Sequence, residues 1–205
     1  QWTSNGIDPA PCTPLGVAAD GVVEIDLASD GPHALIAGTT GAGKSELLRS
    51  LVVGLCARLS PDEITFVLVD YKGGATFDAC IDLPHVVGVV TDLDERLGER
   101  ALRSLEAELR RREQLLRDAG ATDLSSYRSI RATEPTLERL ARLVVVIDEF
   151  ATLAVQQPSF IGALLGVAQR GRSLGVHLVL ATQRPNGVIG EDIRANTNLR
   201  IALRV

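Results

Sequence analysis

Eight residues, Gly38-Thr39-Thr40-Gly41-Ala42-Gly43-Lys44-Ser45, constrain the fold more than any other part of this chain. They read G-x-x-x-x-G-K-S, the pattern of a phosphate-binding loop. Glycines let successive backbone N–H groups turn inward around phosphate oxygens. Lys44 adds a mobile positive charge, and the hydroxyl of Ser45 is suited to Mg²⁺. The motif predicts a nucleotide-binding site.

The residues on both sides of the loop fit this interpretation. His33 to Ala37 form a short apolar run that predicts a strand, and Ser45 to Val53 have helical spacing. The N-terminus of such a helix directs unpaired amides and the positive end of its dipole at the phosphates. The predicted ATP-binding residues are Gly38, Thr39, Thr40, Gly41, Ala42, Gly43, Lys44, Ser45 and Glu46.

A second motif, Leu143 to Glu149, consists of apolar residues followed by two acids. This is the pattern of a Walker B strand, which predicts that Asp148 joins Ser45 in the Mg²⁺ shell. Glu149 is then placed to take a proton from the attacking water. An acidic pair at the end of a strand can also serve solvation alone, but the upstream phosphate-binding loop favours catalysis.

Further apolar runs predict strands at Ile64 to Asp70, His85 to Val90, His177 to Pro185 and Leu199 to Val205, the third of which ends in polar residues. Continuous apolar runs of this kind are typical of strands buried on both faces of a parallel sheet. The predicted fold class is α/β, with a mostly parallel central sheet flanked by helices. The glycine-containing loop Tyr71–Thr76 follows one such strand, and a ligand-binding loop and a tight turn are equally compatible with it.

A helix is predicted after Thr91, with one apolar face formed by Leu93, Leu97, Ala101, Leu105 and Leu109. Its other face carries arginines among glutamates, namely Arg96, Arg100, Arg103, Arg110, Arg111 and Arg112. Such a face is typically solvated and crossed by salt bridges. The alternative is that one arginine reaches the nucleotide of a neighbouring subunit.

Composition narrows the possible partners. The 205 residues carry a net charge of −5, so there is no overall basic field for nucleic acid. Three cysteines without metal-ligand spacing suit a reducing compartment. No apolar run is long enough to span a membrane, so no direct membrane contact is expected within this segment. The absence of methionine suggests a domain taken from a longer polypeptide. Residues 1–32 are predicted to be a lead-in strap and edge strand. Trp2 is suited to pack this strap on the domain or to stack on a base, and packing is favoured.

Six sequence blocks occur together in the order seen in one known family. They are GTTGAGKSELLRSL, FVLVDYKGGATF, LPHVVGVVTDLDERLGERALRSLEAELRRRE, VVVIDEFATLA, AQRGRSLGVHLVLATQRP and IRANTNLRIALRV. On these blocks, from about His33 to Val205, the chain resembles the FtsK/SpoIIIE family. The second and third blocks are most similar to the EccC and EssC ATPases of type VII secretion.

The resemblance implies a RecA-like P-loop fold over residues 33–205 that works as a ring, typically a hexamer, with ATP at subunit interfaces. By motif match, the resemblance implies that Lys44, Glu149 and Gln183 are catalytic, with Gln183 in contact with the γ-phosphate. The candidates for an arginine finger are Arg96, Arg100, Arg103 and Arg111. The chain ends before the last strands and helix of the family, so the domain is expected to be truncated.

The expected function is an ATP-hydrolysing motor that moves a secreted protein, as a cytoplasmic domain of a membrane-associated bacterial protein. Its partners would be copies of itself, or tandem sister ATPase domains, together with the secreted substrate. One rival is a motor that moves double-stranded DNA with the same catalytic residues. A rival of another class is a weakly active docking module, against which the intact Glu149 argues. A small-molecule kinase is the most distant alternative.

Overall fold

A six-stranded parallel sheet forms the centre of the computed structural model, which describes residues 2, 6–70, 75–91, 95–156, 158–183 and 191–204. The elements in chain order are β1 (Cys12–Ala18), β2 (Gly21–Asp26), β3 (Ala34–Ala37), α1 (Lys44–Arg58), β4 (Ile64–Asp70), β5 (Val86–Thr91), α2 (Glu95–Asp118), α3 (Leu124–Thr133), β6 (Arg142–Asp148), α4 (Phe150–Gln156), α5 (Pro158–Leu174), β7 (Val176–Thr182), α6 (Glu191–Asn196) and β8 (Leu199–Ala202).

The spatial order of the central sheet is β5-β4-β6-β7-β3-β8, and every neighbouring pair is parallel. The predicted α/β fold with a mostly parallel sheet is confirmed. Because all six strands run the same way, their carboxyl ends share one edge, where open α/β sheets bind ligands. One strand, β7, separates the strand that precedes the phosphate-binding loop from the strand that ends in Asp148.

Both faces of the sheet are covered, which explains the continuous apolar runs. Along β6, Val144 and Val146 pack in the cluster that includes α1, whereas Val145 and Ile147 pack in the cluster with α2 to α6. Alternate residues of a strand point to opposite faces, so a strand covered on both sides must be apolar throughout.

The lead-in segment forms a hairpin rather than an added strand of the central sheet. β1 and β2 pair antiparallel in a separate two-stranded sheet, and β1 packs on the outer side of α1. Gly54 permits this approach, because a Cβ there would lie 2.0 Å from the hydroxyl oxygen of Thr13. Trp2 packs on the domain as predicted: its indole N–H donates to the carbonyl of Cys56 at 2.7 Å.

Helices α2 and α3 add detail to the sequence prediction. In α2 the packed face begins at Ala101, since Leu97 is 38% exposed, and Leu93 lies outside the described residues. The polar, irregular sequence from Asp118 to Pro135 predicts a surface excursion that can contain a short helix, and the structure has the ten-residue helix α3 there. Asp123 caps α3 through a reciprocal bond pair with Ser126, a capping box in which serine replaces the usual glutamate.

Among the described helices, none is long and apolar enough to cross a membrane.

Candidate nucleotide-binding site

The phosphate-binding loop joins β3 to α1 at the carboxyl edge of the sheet. Gly41 and Gly43 have φ values of 79° and 91°, a left-handed conformation that favours glycine over residues with a side chain. No side chain caps the N-terminus of α1, which begins at Lys44. Among the described residues, the N-cap residue Gly43 therefore leaves the first amides of the helix without a side-chain cap, an arrangement typical of helix ends that bind anions.

Backbone contacts hold this loop against its neighbours. The amide of Gly38 donates to the carbonyl of Thr182 at 3.1 Å, and the amide of Thr39 donates to the carbonyl of Arg204 at 3.0 Å. These bonds connect the loop to the ends of the strands on both sides, β7 and β8. Thr40 and Gln183 also meet, since the hydroxyl of Thr40 donates to Oε1 of Gln183 at 3.0 Å. The structure thus brings Gln183 to the loop, as expected if β7 lies beside β3.

Three buried charges lie together next to the loop. Nζ of Lys44 is 2.7 Å from Oδ1 of Asp148 and 3.2 Å from Oε2 of Glu149. All three residues are at most 6% exposed. The residues of two motifs that are about 100 positions apart in sequence are therefore in direct contact, and this juxtaposition is the main geometric feature of the site.

Glu149 adopts an unusual backbone conformation. Its φ is +58°, and every other described residue with a positive φ is a glycine. The left-handed region costs a residue with a Cβ about 1 kcal/mol or more. Its amide donates to Oδ1 of Asp148 at 2.8 Å, so the turn that strains Glu149 also holds the preceding carboxylate. Strained residues of this kind concentrate at functional sites.

A cleft of about 300 Å³ opens between these groups. It is lined by Lys44, Ser45, Arg49, Asp70, Ala75, Thr76, Asp148, Glu149 and Gln183. Ser45 is half-buried, whereas Glu46 is exposed and its carboxylate pairs with Arg49. Glu46 is thus placed at the helix end but is not among the residues that line the cleft.

Two cleft residues, Asp70 and Thr76, were not assigned a role from the sequence. Asp70 ends β4 and lies beside Asp148 in the register of the sheet. Thr76 donates its hydroxyl to Oδ2 of Asp148 at 2.9 Å. The sequence signal was the polar loop after β4, but residues 71–74 lie outside the described chain. Whether the whole loop binds a ligand stays a prediction, and its described end contacts the site through Thr76.

The arginine-finger candidates lie elsewhere, on α2. The side chain of Arg96 is outside the described residues, and Arg100 is exposed. Arg103 pairs with Glu99, and Arg111 pairs with Glu108 and Glu138. No described side chain among these candidates lines the cleft.

Arg112 belongs to the same charged run but is 3% exposed. It donates to the carbonyls of Leu174 and Ala141 and pairs with Glu108. Burial lowers the pKa of Arg112, and the Glu108 carboxylate opposes that effect. Its contacts are those of a structural residue.

The donor set suits ATP with Mg²⁺. Mg²⁺ prefers oxygen ligands and is usually held by one or two protein groups together with substrate phosphates. The Ser45 hydroxyl and the Asp148 carboxylate are such ligands, and they line the same cleft. No cluster of three or more metal-binding side chains occurs among the described residues.

Comparison with known proteins gives concordant matches. The FtsK/SpoIIIE family model matches residues 9–187. The type VII secretion system protein EssC of Staphylococcus aureus is 39% identical over all of this chain, which covers 14% of that protein.

Two solved structures have closely similar folds. The cytoplasmic domain of the type VII secretion ATPase EccC of Thermomonospora curvata has a TM-score of 0.88 and 38% identity, covering 100% of this chain and 25% of that one. ATPases 2 and 3 of the same organism's EccC, in complex with a signal sequence peptide, give a TM-score of 0.86 and 27% identity over 99% of this chain and 38% of that one. The chain thus spans a small part of each relative's length.

Proposed function

The chain belongs to the FtsK/SpoIIIE family, and we propose that it is a Mg²⁺-dependent ATPase motor domain of a type VII secretion system. The observation that carries the proposal is the contact of Lys44 with Asp148 and Glu149 beside an uncapped helix N-terminus. These elements together provide phosphate binding, metal binding and water activation at one place. The similarity to EssC and EccC supports the secretion role.

In this proposal the loop and Lys44 bind the phosphates of ATP. Backbone amides of the loop and of the first turn of α1 donate to phosphate oxygens, and Lys44 contributes a charge-assisted contact. Lys44 is already held at the cleft by the two carboxylates. The positive φ of Gly41 and Gly43 gives the loop a backbone conformation in which amides can turn toward phosphate oxygens.

Glu149 and Asp148 have distinct proposed roles. Glu149 is the general base that accepts a proton from the attacking water, and Asp148 joins Ser45 in holding the metal. Gln183, bonded to Thr40, is placed to contact the γ-phosphate. When bound with ATP, Mg²⁺ neutralises negative charge on the phosphate oxygens.

The proposed assembly is a ring, or a row of tandem sister domains, in which an arginine from a neighbour completes the site. The described candidates on α2 do not line the cleft of their own chain, which is compatible with action in trans. An arginine finger is worth about 10³–10⁵ in rate, so the isolated domain should turn over slowly. The EccC structure in complex with a signal sequence peptide supports a secreted protein as the cargo. The similarity to the cytoplasmic domain of EccC supports a cytoplasmic location.

The first test is nucleotide binding and phosphate release by the chain and its Lys44→Ala variant. We expect Lys44→Ala to lose most ATP affinity, because a charge-assisted phosphate contact disappears. Arg58→Ala is the matched control, since it removes a positive charge from the opposite end of the same helix. Equal affinity in Lys44→Ala and Arg58→Ala would contradict the proposed site.

The second test distinguishes a motor that moves a secreted protein from one that moves double-stranded DNA. Phosphate release is measured over a range of protein concentrations, with a duplex DNA or with the C-terminal tail peptide of a secreted partner. Turnover should rise with concentration, and DNA should bind weakly at physiological salt because the chain carries a net charge of −5. Tight binding of DNA that falls steeply with salt, with strong stimulation of turnover, would instead support the DNA motor.

A further inference from the structure

The carboxylate of Asp148 is held at both of its oxygens. Oδ1 accepts from Nζ of Lys44 at 2.7 Å and from the amide of Glu149 at 2.8 Å. Oδ2 accepts from the hydroxyl of Thr76 at 2.9 Å. The donors come from three different elements: α1, the turn after β6 and the loop after β4. Thr76 is the described side chain that holds the second oxygen.

Thr76 is itself fixed by the end of β4. Its amide donates to Oδ2 of Asp70 at 3.1 Å. Asp70 is 3% exposed and lies beside Asp148 across the paired strands β4 and β6. The buried carboxylate of Asp70 therefore fixes the position of Thr76, from which its hydroxyl reaches Asp148.

We infer that Thr76 is a positioning residue that orients the Asp148 carboxylate toward the metal of the bound nucleotide. The inference rests on the proposed function, because it assigns Thr76 a role in the same site. A carboxylate bonded at one oxygen can rotate about its Cβ–Cγ bond, and the second bond restricts that rotation. Groups that orient a metal ligand in this way typically change metal affinity or activity by about 10-fold to 100-fold when removed.

The test uses Thr76→Val, which removes the hydroxyl at nearly constant shape, and Thr76→Ser, which keeps it. Thr65→Val is the matched control, because Thr65 lies at the start of β4 and its hydroxyl donates to a backbone carbonyl, that of Arg142. The affinity for a fluorescent ATP analogue is measured in Mg²⁺ and in EDTA, and the ratio gives the Mg²⁺-dependent gain. Thermal melting of each variant is measured alongside.

In Thr76→Val we expect the Mg²⁺-dependent gain in affinity to be about 10-fold smaller, while the affinity in EDTA stays unchanged. Thr76→Ser should recover most of the gain, and Thr65→Val should match the unsubstituted chain. An unchanged gain in Thr76→Val would overturn the inference. So would an equal loss of affinity in Mg²⁺ and EDTA together with a lower melting temperature, because that pattern reports a structural role.

Failure of the proposed function looks different in this experiment. In that case the unsubstituted chain would bind the analogue in neither Mg²⁺ nor EDTA, and the inference would fall with it. If the unsubstituted chain binds with a clear Mg²⁺-dependent gain, the proposed site stands whatever the Thr76 variants do.

Discussion

Buried charges cluster at both edges of the central sheet, but they are satisfied in different ways. At the amino edge, Asp8 bridges Arg128 and Arg142, each at 2.7 Å, and both guanidinium groups also donate to main-chain carbonyls. At the carboxyl edge, Lys44 contacts Asp148 and Glu149 through side chains that face a cleft.

The contrast shows that burial of charge is not by itself a sign of a functional site. Main-chain carbonyls are fixed by the fold, so the contacts of Arg128 and Arg142 have one stable arrangement. The ion pairs at the carboxyl edge join side chains, which can exchange partners, and they lie beside the N-terminus of α1, where no side chain caps the helix. Glu149 adds backbone strain at φ +58°, which the amino edge does not share within the described chain. Buried ion pairs can serve structure as well as chemistry. The contacts of Arg128 and Arg142 are those of a structural network, whereas those of Lys44 belong to the proposed nucleotide site.

Three titratable groups at the amino edge have pKa values below their ordinary values. Burial lowers the pKa of His177 to about 4, although the bond to the carbonyl of Pro32 opposes this shift. Burial also lowers the pKa of His33, whose ring bonds the carbonyl of Ala168. For Asp8, burial raises the pKa, but Arg142 and Arg128 more than offset it, so the net pKa lies below the ordinary value.

The largest expected effect comes from Glu149→Gln at the carboxyl edge. Loss of the general base should lower ATP turnover by about 10²–10⁴-fold, while ATP binding in Mg²⁺ persists. Steady-state phosphate release and equilibrium binding are the measurements. Its melting temperature should change little, since Gln keeps the shape of the side chain. Normal turnover would remove Glu149 from the proposed chemistry and erase the contrast between the two edges.

At the amino edge the effect should be on stability instead. Asp8→Ala leaves two buried guanidinium groups without their shared partner and should lower the free energy of unfolding by about 3 kcal/mol. Chemical denaturation measures the loss, and ATP turnover below the transition should stay normal. Asp20→Ala is the control, since Asp20 is exposed on the turn between β1 and β2. If Asp8→Ala abolished turnover without loss of stability, the amino edge would have a functional role.

A smaller effect should appear as pH dependence. A histidine with a folded pKa near 4 and an unfolded pKa of 6.5 stabilises the fold above pH 6.5, and this stability is lost as pH falls toward 4. Between pH 7.5 and 5 the loss is on the order of 2 kcal/mol. Protonation is further opposed by the charges of Arg142 and Arg112 and by His33.

Denaturation of His177→Asn measured at both pH values tests this assignment. Asn can keep a donor to the carbonyl of Pro32 but does not titrate, so the variant should lose less stability on acidification than the parent chain. Some loss should remain, because His33 also has a lowered pKa. An identical pH dependence in the two proteins would show that His177 is not the group responsible.

The two edges also differ in how well the sequence predicts them. Lys44, Ser45, Asp148 and Glu149 are marked by local patterns in which glycines and acids follow apolar runs, so their place at one edge could be inferred. The bond from Thr76 to Asp148 depends on how β4 and β6 align, and no pattern within either strand encodes that alignment. The same holds at the amino edge for Asp8, whose partners are 120 and 134 positions away in sequence.

The smallest expected effect isolates the strain at Glu149. Glu149→Ala and Glu149→Gly both remove the carboxylate, so the difference in their stability reports the backbone alone. At φ +58° the Gly variant should be more stable by about 1 kcal/mol, because the left-handed region penalises a Cβ. The same pair at Glu106, within α2, should give the opposite sign, since Gly destabilises a helix interior by about 1 kcal/mol relative to Ala. Chemical denaturation of the four variants provides both differences. If the stability difference between the Gly and Ala variants had the same sign at both positions, Glu149 would carry no measurable strain. The carboxyl edge would then differ from the amino edge only by its cleft and its exchangeable side-chain contacts.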